Sequence, residues 1–386
     1  MHADTHVLLS GWGVLTPDAT VSRGWVQIRG QRITGVGAGT PARPAEGEEH
    51  LVLTGCTVVP GFIDLHVHGG GASFVQGAPA AVPRARTFHR RGGTTRSPAS
   101  LVSTPVDALV DALASLAEDG VVEGIYLEDP FLAPGRCGAH DPRSLRPPER
   151  ALLERLLDAG RGQVRMVTLA PELPGAIDRV RRLVDVGVIA AIGHSDADDA
   201  RAQTAIDAGA TVATHLFNAM RPLQHRGPGI AGAALEREEV ACALIVDGHH
   251  LADATARLAF AAAPRRRAPV TAAVAAAGTA EGRSRLGPVE VEVAPGAPSE
   301  GTPTIAGSTV TSAAALRHAV RARLPLAQAS AAASTLPATL LNRASGLGTI
   351  AVDTLADLVV LDADLEVEVV FVAGERVAPP AARVAR

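Results

Sequence analysis

The chain has 386 residues, of which 47% are hydrophobic and 20% charged, with a formal net charge of −4. That is enough for one large domain and a small accessory one, with no basic excess to call for nucleic acid or an anionic membrane surface. There is no lysine, which excludes Schiff-base and P-loop chemistry and a metal pair bridged by a carboxylated lysine, and leaves arginine, histidine and backbone amides to hold any anionic ligand group.

Residues 6–58 alternate short β-rich pieces (7–10, 24–28, 32–36) with turns, and the Pro/Gly/Glu-rich stretch 39–49 reads as a loop. Eight apolar strand candidates follow, near 57–66, 93–101, 122–128, 164–170, 188–194, 210–216, 240–247 and 268–274. Helical patterns are expected at 78–91, 105–119, 148–159, 173–186, 197–208, 252–262 and 309–323. This βα alternation predicts an α/β fold, a (β/α)8 TIM-like barrel of the metal-dependent hydrolase kind, over 57–345. Strand-like runs return at 356–361 and 367–372. Residues 1–56 and 346–386 are therefore expected to form one small β-sandwich domain from both chain ends. Cys56, Cys137 and Cys242 match no disulfide framework, zinc finger or redox pair, so a reducing, cytoplasmic setting is expected. The first residues lack the basic and apolar regions of a signal peptide, and no apolar run reaches roughly 18 residues, so no membrane span is expected.

Four apolar runs end in metal-type ligands: His66 and His68 after 58–65, Glu128 after 124–127, His194 after 188–193, and His215 after 211–214. Taken singly, each reads as well as a satisfied core histidine, a turn residue or an acidic loop residue. Jointly they sit where a barrel gathers its catalytic groups, at the carboxyl ends of successive strands. His66 and His68 alternate along a strand and can share one ion. Glu128, His194 and His215 make a three-ligand set with an open position, the arrangement by which Zn²⁺ or Fe²⁺ lowers the pKa of a bound water.

The motifs Val58-Val59-Pro60-Gly61-Phe62-Ile63-Asp64, Leu127-Glu128-Asp129-Pro130-Phe131, Gly138-Ala139-His140, Leu169-Ala170-Pro171-Glu172, Gly193-His194-Ser195, Thr214-His215-Leu216-Phe217-Asn218-Ala219-Met220, Asp247-Gly248-His249-His250 and Ala306-Gly307-Ser308-Thr309 together resemble the N-acetylglucosamine-6-phosphate deacetylases of the amidohydrolase superfamily. The resemblance covers essentially the whole chain. It implies hydrolysis of the acetamide of an N-acetylhexosamine 6-phosphate to acetate and an amino sugar phosphate. It assigns the principal divalent metal, Zn or Fe, to Glu128, His194 and His215, and a second one, present in some members, to His66 and His68. It assigns the sugar phosphate to Asn218, the backbone amide of Ala219 and Arg226, and polarisation of the acetyl carbonyl to His250. His140 resembles a residue that completes a neighbouring subunit's site, which implies a homodimer.

Three departures bear on this expectation. The family's strand near 268–274 ends in Thr-Asp, whose Asp activates water and protonates the leaving amine, whereas here Thr271 is followed by Ala272. Asp129 replaces a Gly, and Gly227 replaces a Glu. No neighbouring acid obviously takes over, since Glu281 lies nine residues on and Asp247 belongs to another motif. An impaired deacetylase, a silent sugar-phosphate-binding protein, and an amidohydrolase of altered substrate that uses Asp129 all stay open on the sequence.

Overall fold

The computed structural model describes residues 6–17, 19–41, 46–102, 104–118, 123–279, 282–286, 289–293 and 305–377. Two compact units emerge. One takes in the described residues of 1–63, 89–96 and 311–386, and the other those of 64–88 and 97–310.

In the first unit both chain ends meet in one eight-stranded sheet, ordered Glu375–Val377, Val367–Val372, Leu358–Leu361, Glu49–Pro60, His6–Leu15, Gly24–Arg29 and Arg32–Ala38, with Thr20–Ser22 paired to His6–Leu15. Alternating side chains of these strands, among them Val26, Ile28, Ile33, Val58, Leu358, Val360 and Phe371, bury into a shared core. A part-buried ion pair braces this unit. Arg96 Nε and Nη2 donate to the two carboxylate oxygens of Asp357 at 2.6 and 3.1 Å, and Asp357 Oδ1 also accepts the Ala373 amide.

In the second unit seven parallel strands follow in chain order: Ala99–Leu101, Ile125–Phe131, Val164–Leu169, Ile189–Ile192, Val212–Ala213, Ala241–Ile245 and Arg267–Val270. The Ile125–Phe131 strand is buried throughout, as a strand covered on both faces must be. The segment around Val67 stitches the two edges of this sheet together. Ser100 N donates to Val67 O at 2.8 Å on one side, while Ala272 N donates to His66 O and His68 N to Ala273 O, both at 2.8 Å, on the other. The parallel sheet is thereby curled and linked edge to edge, as the barrel expectation requires.

Two expected strands are divided. The run 57–66 breaks at Pro60-Gly61, so residues through Pro60 pair with Leu358–Leu361 and His66 begins the edge-linking segment. The run 93–101 splits into Thr94–Arg96 and Ala99–Leu101 at Pro98, which has no amide proton to continue a ladder. The hairpin of Gly282–Leu286 with Val289–Val293 and the helices Gly229–Glu236, Leu326–Ala333 and Thr335–Leu340 add to the elements expected. The Ala/Gly-rich helices Gly229–Glu236 and Leu326–Ala333 carry too little apolar periodicity to be found by pattern, whereas Val289–Val293 alternates strictly, a legible strand pattern missing from the elements expected.

Candidate metal centre

The candidate ligands stand on a buried strand or shortly beyond the end of one. Glu128 is the fourth residue of Ile125–Phe131, while His194 and His215 each lie two residues beyond their strands, Ile189–Ile192 and Val212–Ala213. To turn inward there, the backbone enters the left-handed region at His194 (φ 47°), His215 (27°), Phe217 (76°), Ala219 (50°) and Ala272 (47°). Such positions cost an L-residue about 1–2 kcal/mol each and persist only where the surroundings hold them.

The five ligand-type side chains are all buried. His215 Nε2 lies 2.9 Å from Glu128 Oε1 and 3.0 Å from His194 Nε2, and His194 Nε2 is 3.3 Å from the same oxygen. His66 Nε2 and His68 Nε2 are 2.8 Å apart, at 3.4 Å from Oε1 and 3.2 Å from Oε2 of Glu128, respectively. Ligands about 2.0 Å from a tetrahedral ion are separated by about 3.3 Å, so both sets are spaced like the corners of such a site. Two of the far ring nitrogens fit as well, while that of His215 is buried without a hydrogen-bond partner among the described residues. His194 Nδ1 meets the Arg136 carbonyl at 2.9 Å and His68 Nδ1 the Ser100 carbonyl at 3.2 Å, leaving the Nε2 lone pairs for the cluster. Burial pushes His66 and His194 down to about 4, so both rings are neutral donors near pH 7. Burial alone would raise Glu128, but the surrounding imidazoles hold its carboxyl well below the usual range.

A cavity of about 490 Å³ opens onto this cluster, and His140, Asn218, Ala219, His250 and Ala272 also line it. His250 Nδ1 is 2.7 Å from Asp247 Oδ2, and Asp247 Oδ1 accepts the amides of His249 and His250, each at 2.8 Å. Burial works against the charge on Asp247, yet these hydrogen bonds bring its carboxyl down to about 2. The ring of His250 is thus fixed by a carboxylate, the orientation a carbonyl-polarising imidazole needs.

His140, expected to complete the site of a second subunit, lines its own chain's cavity. Its Nε2 is 3.2 Å from Glu128 Oε2, and its Nδ1 is 3.2 Å from Asp129 Oδ2. The loop after Phe131, with its short turn Pro134–Arg136, carries the ring back over the strand end it left. Burial disfavours charge on His140, but hydrogen bonds to Asp129 and Glu128 outweigh it and push the imidazole up to about 10. Asp129 itself is fully buried behind His140. Arg226 is exposed and forms no part of the cavity wall. Glu281 lies outside the described residues.

Several groups to which the sequence assigns no role hold the ligands in place. Asp64 Oδ2 accepts the Thr271 hydroxyl at 2.6 Å, and its Oδ1 accepts the amides of His66 and Thr271, both at 3.2 Å, tying the segment bearing His66 to the strand end bearing Ala272. The Tyr126 hydroxyl pairs with Thr168 Oγ1 at 2.6 Å among the strands, its ring edge-on to His66. Their only advance signal was a polar residue inside an otherwise apolar run.

The Amidohydrolase family matches residues 57–377, a span containing every ligand of this cluster. The chain belongs to the amidohydrolase family. Within that family it is a member of the N-acetylglucosamine-6-phosphate deacetylase group. It is 36% identical over 351 residues to the N-acetylglucosamine-6-phosphate deacetylase of Bos taurus, covering 86% of this chain and 85% of the relative. It is 34% identical over 325 residues to the N-acetylgalactosamine-6-phosphate deacetylase of Escherichia coli O157:H7, covering 82% and 86%. A solved N-acetyl-D-glucosamine-6-phosphate deacetylase of Mycobacterium smegmatis, an aspartate-to-alanine mutant in complex with N-acetyl-D-glucosamine-6-phosphate, shares 43% identity with a TM-score of 0.91 and matches 97% of this chain and 100% of that one. The amidohydrolase therefore has the barrel of its group and buried His/Glu sets able to hold a metal ion.

Proposed function

We propose that this amidohydrolase hydrolyses the acetamide of an N-acetylhexosamine 6-phosphate to acetate and an amino sugar phosphate, with proton transfer slowed because position 272 is alanine. The observation that carries the reading is the Glu128–His194–His215 triangle, opening onto a cavity walled by Asn218, Ala219 and His250. These three residues would hold Zn²⁺ or Fe²⁺, which supplies Lewis acidity and a water of lowered pKa when bound. His66 and His68, sharing Glu128, would hold a second ion.

The chain's own groups divide the remaining work. His250, fixed by Asp247, donates a hydrogen bond to the acetyl oxygen as negative charge develops there, an interaction of the oxyanion-hole type. Asn218 and the Ala219 amide take the phosphate end of the substrate, with Arg226 meeting it from outside the cavity wall. Ala272 offers no proton, and loss of a positioned acid–base group typically costs roughly 10²–10⁴ in rate. Asp129, buried behind His140, acts on the cavity only through that imidazole, so it does not stand in directly for the missing acid.

A second reading, a sugar-phosphate binder without turnover, is favoured by the same methyl group and by the relative whose aspartate-to-alanine mutant holds N-acetyl-D-glucosamine-6-phosphate. Acetate release from N-acetylglucosamine 6-phosphate, measured on protein loaded with Zn²⁺ or Fe²⁺ alongside calorimetry, separates the two. Turnover near one per second or faster supports the enzyme, whereas saturable heat without acetate supports the binder. Absence of both heat and acetate would sink the substrate assignment.

Among the described residues no helix is long and apolar enough to cross a membrane, and Cys56, Cys137 and Cys242 are all free thiols. Free thiols support a reducing, cytoplasmic setting. With His140 in its own chain's cavity, the homodimer rests on family likeness, and sedimentation equilibrium at micromolar protein tests it.

A further inference from the structure

Glu172 lies in the turn that follows Val164–Leu169. It is half-buried, outside the cavity wall, and touches none of the ligand-type side chains directly. Both of its carboxylate oxygens are nevertheless engaged by the two residues that follow His194. Ser195 Oγ donates to Oε2 at 2.6 Å, and the Asp196 amide donates to Oε1 at 2.6 Å. Ser195 Oγ accepts in turn from the Ala197 amide at 3.0 Å, so this carboxylate organises the side-chain bonds of the 195–197 turn, while Ser195 N donates to Ala219 O at 3.1 Å and Ser195 O accepts from Arg221 N at 3.0 Å. Immediately before it stands His194 in the left-handed region, at φ 47°. The imidazole is held from the opposite flank, where its Nδ1 meets the Arg136 carbonyl at 2.9 Å.

We infer that Glu172 is a positioning residue that sets the affinity of the Glu128–His194–His215 site for its divalent cation. The inference rests on the metal reading proposed above. Charge-assisted hydrogen bonds are the strong ones, and two of them at 2.6 Å fix the two residues that follow His194, helping to hold it in a conformation it does not favour unaided. Without the carboxylate, the 195–197 turn loses two of its anchors, and the restraint on the left-handed His194 backbone weakens although its carbonyl still accepts the Ala133 amide. Its Nε2 then leaves its place 3.0 Å from His215 Nε2. Metal–ligand distances are met only within about 0.2 Å, so even a small swing of the ring is felt in affinity. Partners that orient a metal-binding histidine typically change affinity by about 10–100-fold when removed.

The test is zinc affinity of the metal-free full chain, measured by competition with a chromophoric chelator, with circular dichroism as a check on folding. Glu172→Ala should weaken zinc binding by about 10–100-fold. Glu172→Gln, whose single amide oxygen keeps one acceptor, and Ser195→Ala, which removes one donor, should each weaken it several-fold. Excess zinc should restore one ion per site in all three. Glu154→Gln, which breaks an ion pair with Arg182 on the helices of the same unit, serves as the control and should bind within twofold of wild type. Folded Glu172→Ala binding zinc as wild type does would overturn the inference. Should that variant fail to fold, wild-type affinity in both Glu172→Gln and Ser195→Ala would overturn it equally. A wild-type protein that binds no zinc would instead refute the metal reading itself, whereas zinc-binding wild type with unaffected variants refutes only the role of Glu172.

Discussion

Restoring a carboxyl group at position 272 changes one side chain on the cavity wall and leaves the surrounding chemistry in place. The backbone there already has φ 47°, a region in which aspartate is several-fold enriched over other non-glycine residues. Ala272→Asp therefore adds no backbone strain to what alanine bears. Ala272 lines the same cavity of about 490 Å³ as Glu128, His194 and His215, so the new carboxylate enters the space where water and acetamide must meet. Repulsion from Glu128 is offset once a divalent cation occupies the cluster. A positioned acid–base group contributes about 10²–10⁴ in rate, which at about 1.36 kcal/mol per tenfold is about 3–5 kcal/mol off the barrier. Acetate release under saturating Zn²⁺ should accordingly show kcat rising by at least 10², with KM little changed. Ala272→Asn, similar in shape and as tolerant of left-handed φ but unable to carry the proton, should stay at the wild-type rate. A rise below threefold in the aspartate variant, with metal and substrate still bound, would refute the assignment of position 272 as the missing acid–base group.

Asp357→Ala should destabilise the first unit by about 1–3 kcal/mol in urea unfolding, because it removes the two charge-assisted hydrogen bonds to Arg96 and the acceptor of the Ala373 amide. Asp247→Asn should lower kcat more than it raises KM by loosening His250. It should also remove a pH-dependent stability increment. The Asp247 carboxyl sits at about 2 against an ordinary 3.8, so its contribution of about 2 kcal/mol is fully present above pH 4. It is lost as pH falls through 2, and the variant should lack that acid limb in thermal melts. Glu128→Ala, which removes the carboxylate shared by both histidine pairs, should abolish stoichiometric zinc binding in calorimetry; retained stoichiometry would dissociate the cluster from the metal.

The ligands could be found from the chain because each closes a short apolar run, and strand ends in a parallel barrel converge by construction. Their supports could not. Asp64 finds Thr271 across 207 residues and Ser195 finds Glu172 across 23; neither pairing leaves a local pattern. The same limit explains the displaced boundary at Pro60-Gly61. There the apolar run continues unbroken while its partners change from Leu358–Leu361 to Thr94–Arg96, with which Phe62–Ile63 pairs in parallel. That His140 lines its own chain's cavity was not legible, because the path of a loop, unlike the face of a strand, has no periodicity to read. Ala272 was the opposite case, since an absent functional group is visible in one letter, and the structure adds that this letter occupies a left-handed backbone position on the cavity wall.

The segment carrying His66 and His68 is also the stitch between the first and last strands of the parallel sheet. An ion drawing these two imidazoles towards Glu128 would act as a rivet through the seam of the barrel. Occupancy of the metal position is then coupled to local opening, and removing the ion should loosen the seam before it disturbs the opposite wall. Hydrogen–deuterium exchange at the amides of His68 and Ala272 becomes a gauge of loading that needs neither substrate nor turnover. Those two amides should exchange faster in chelator-stripped protein, while the amides of Val167 and Leu169, on a strand remote from the seam, keep their protection.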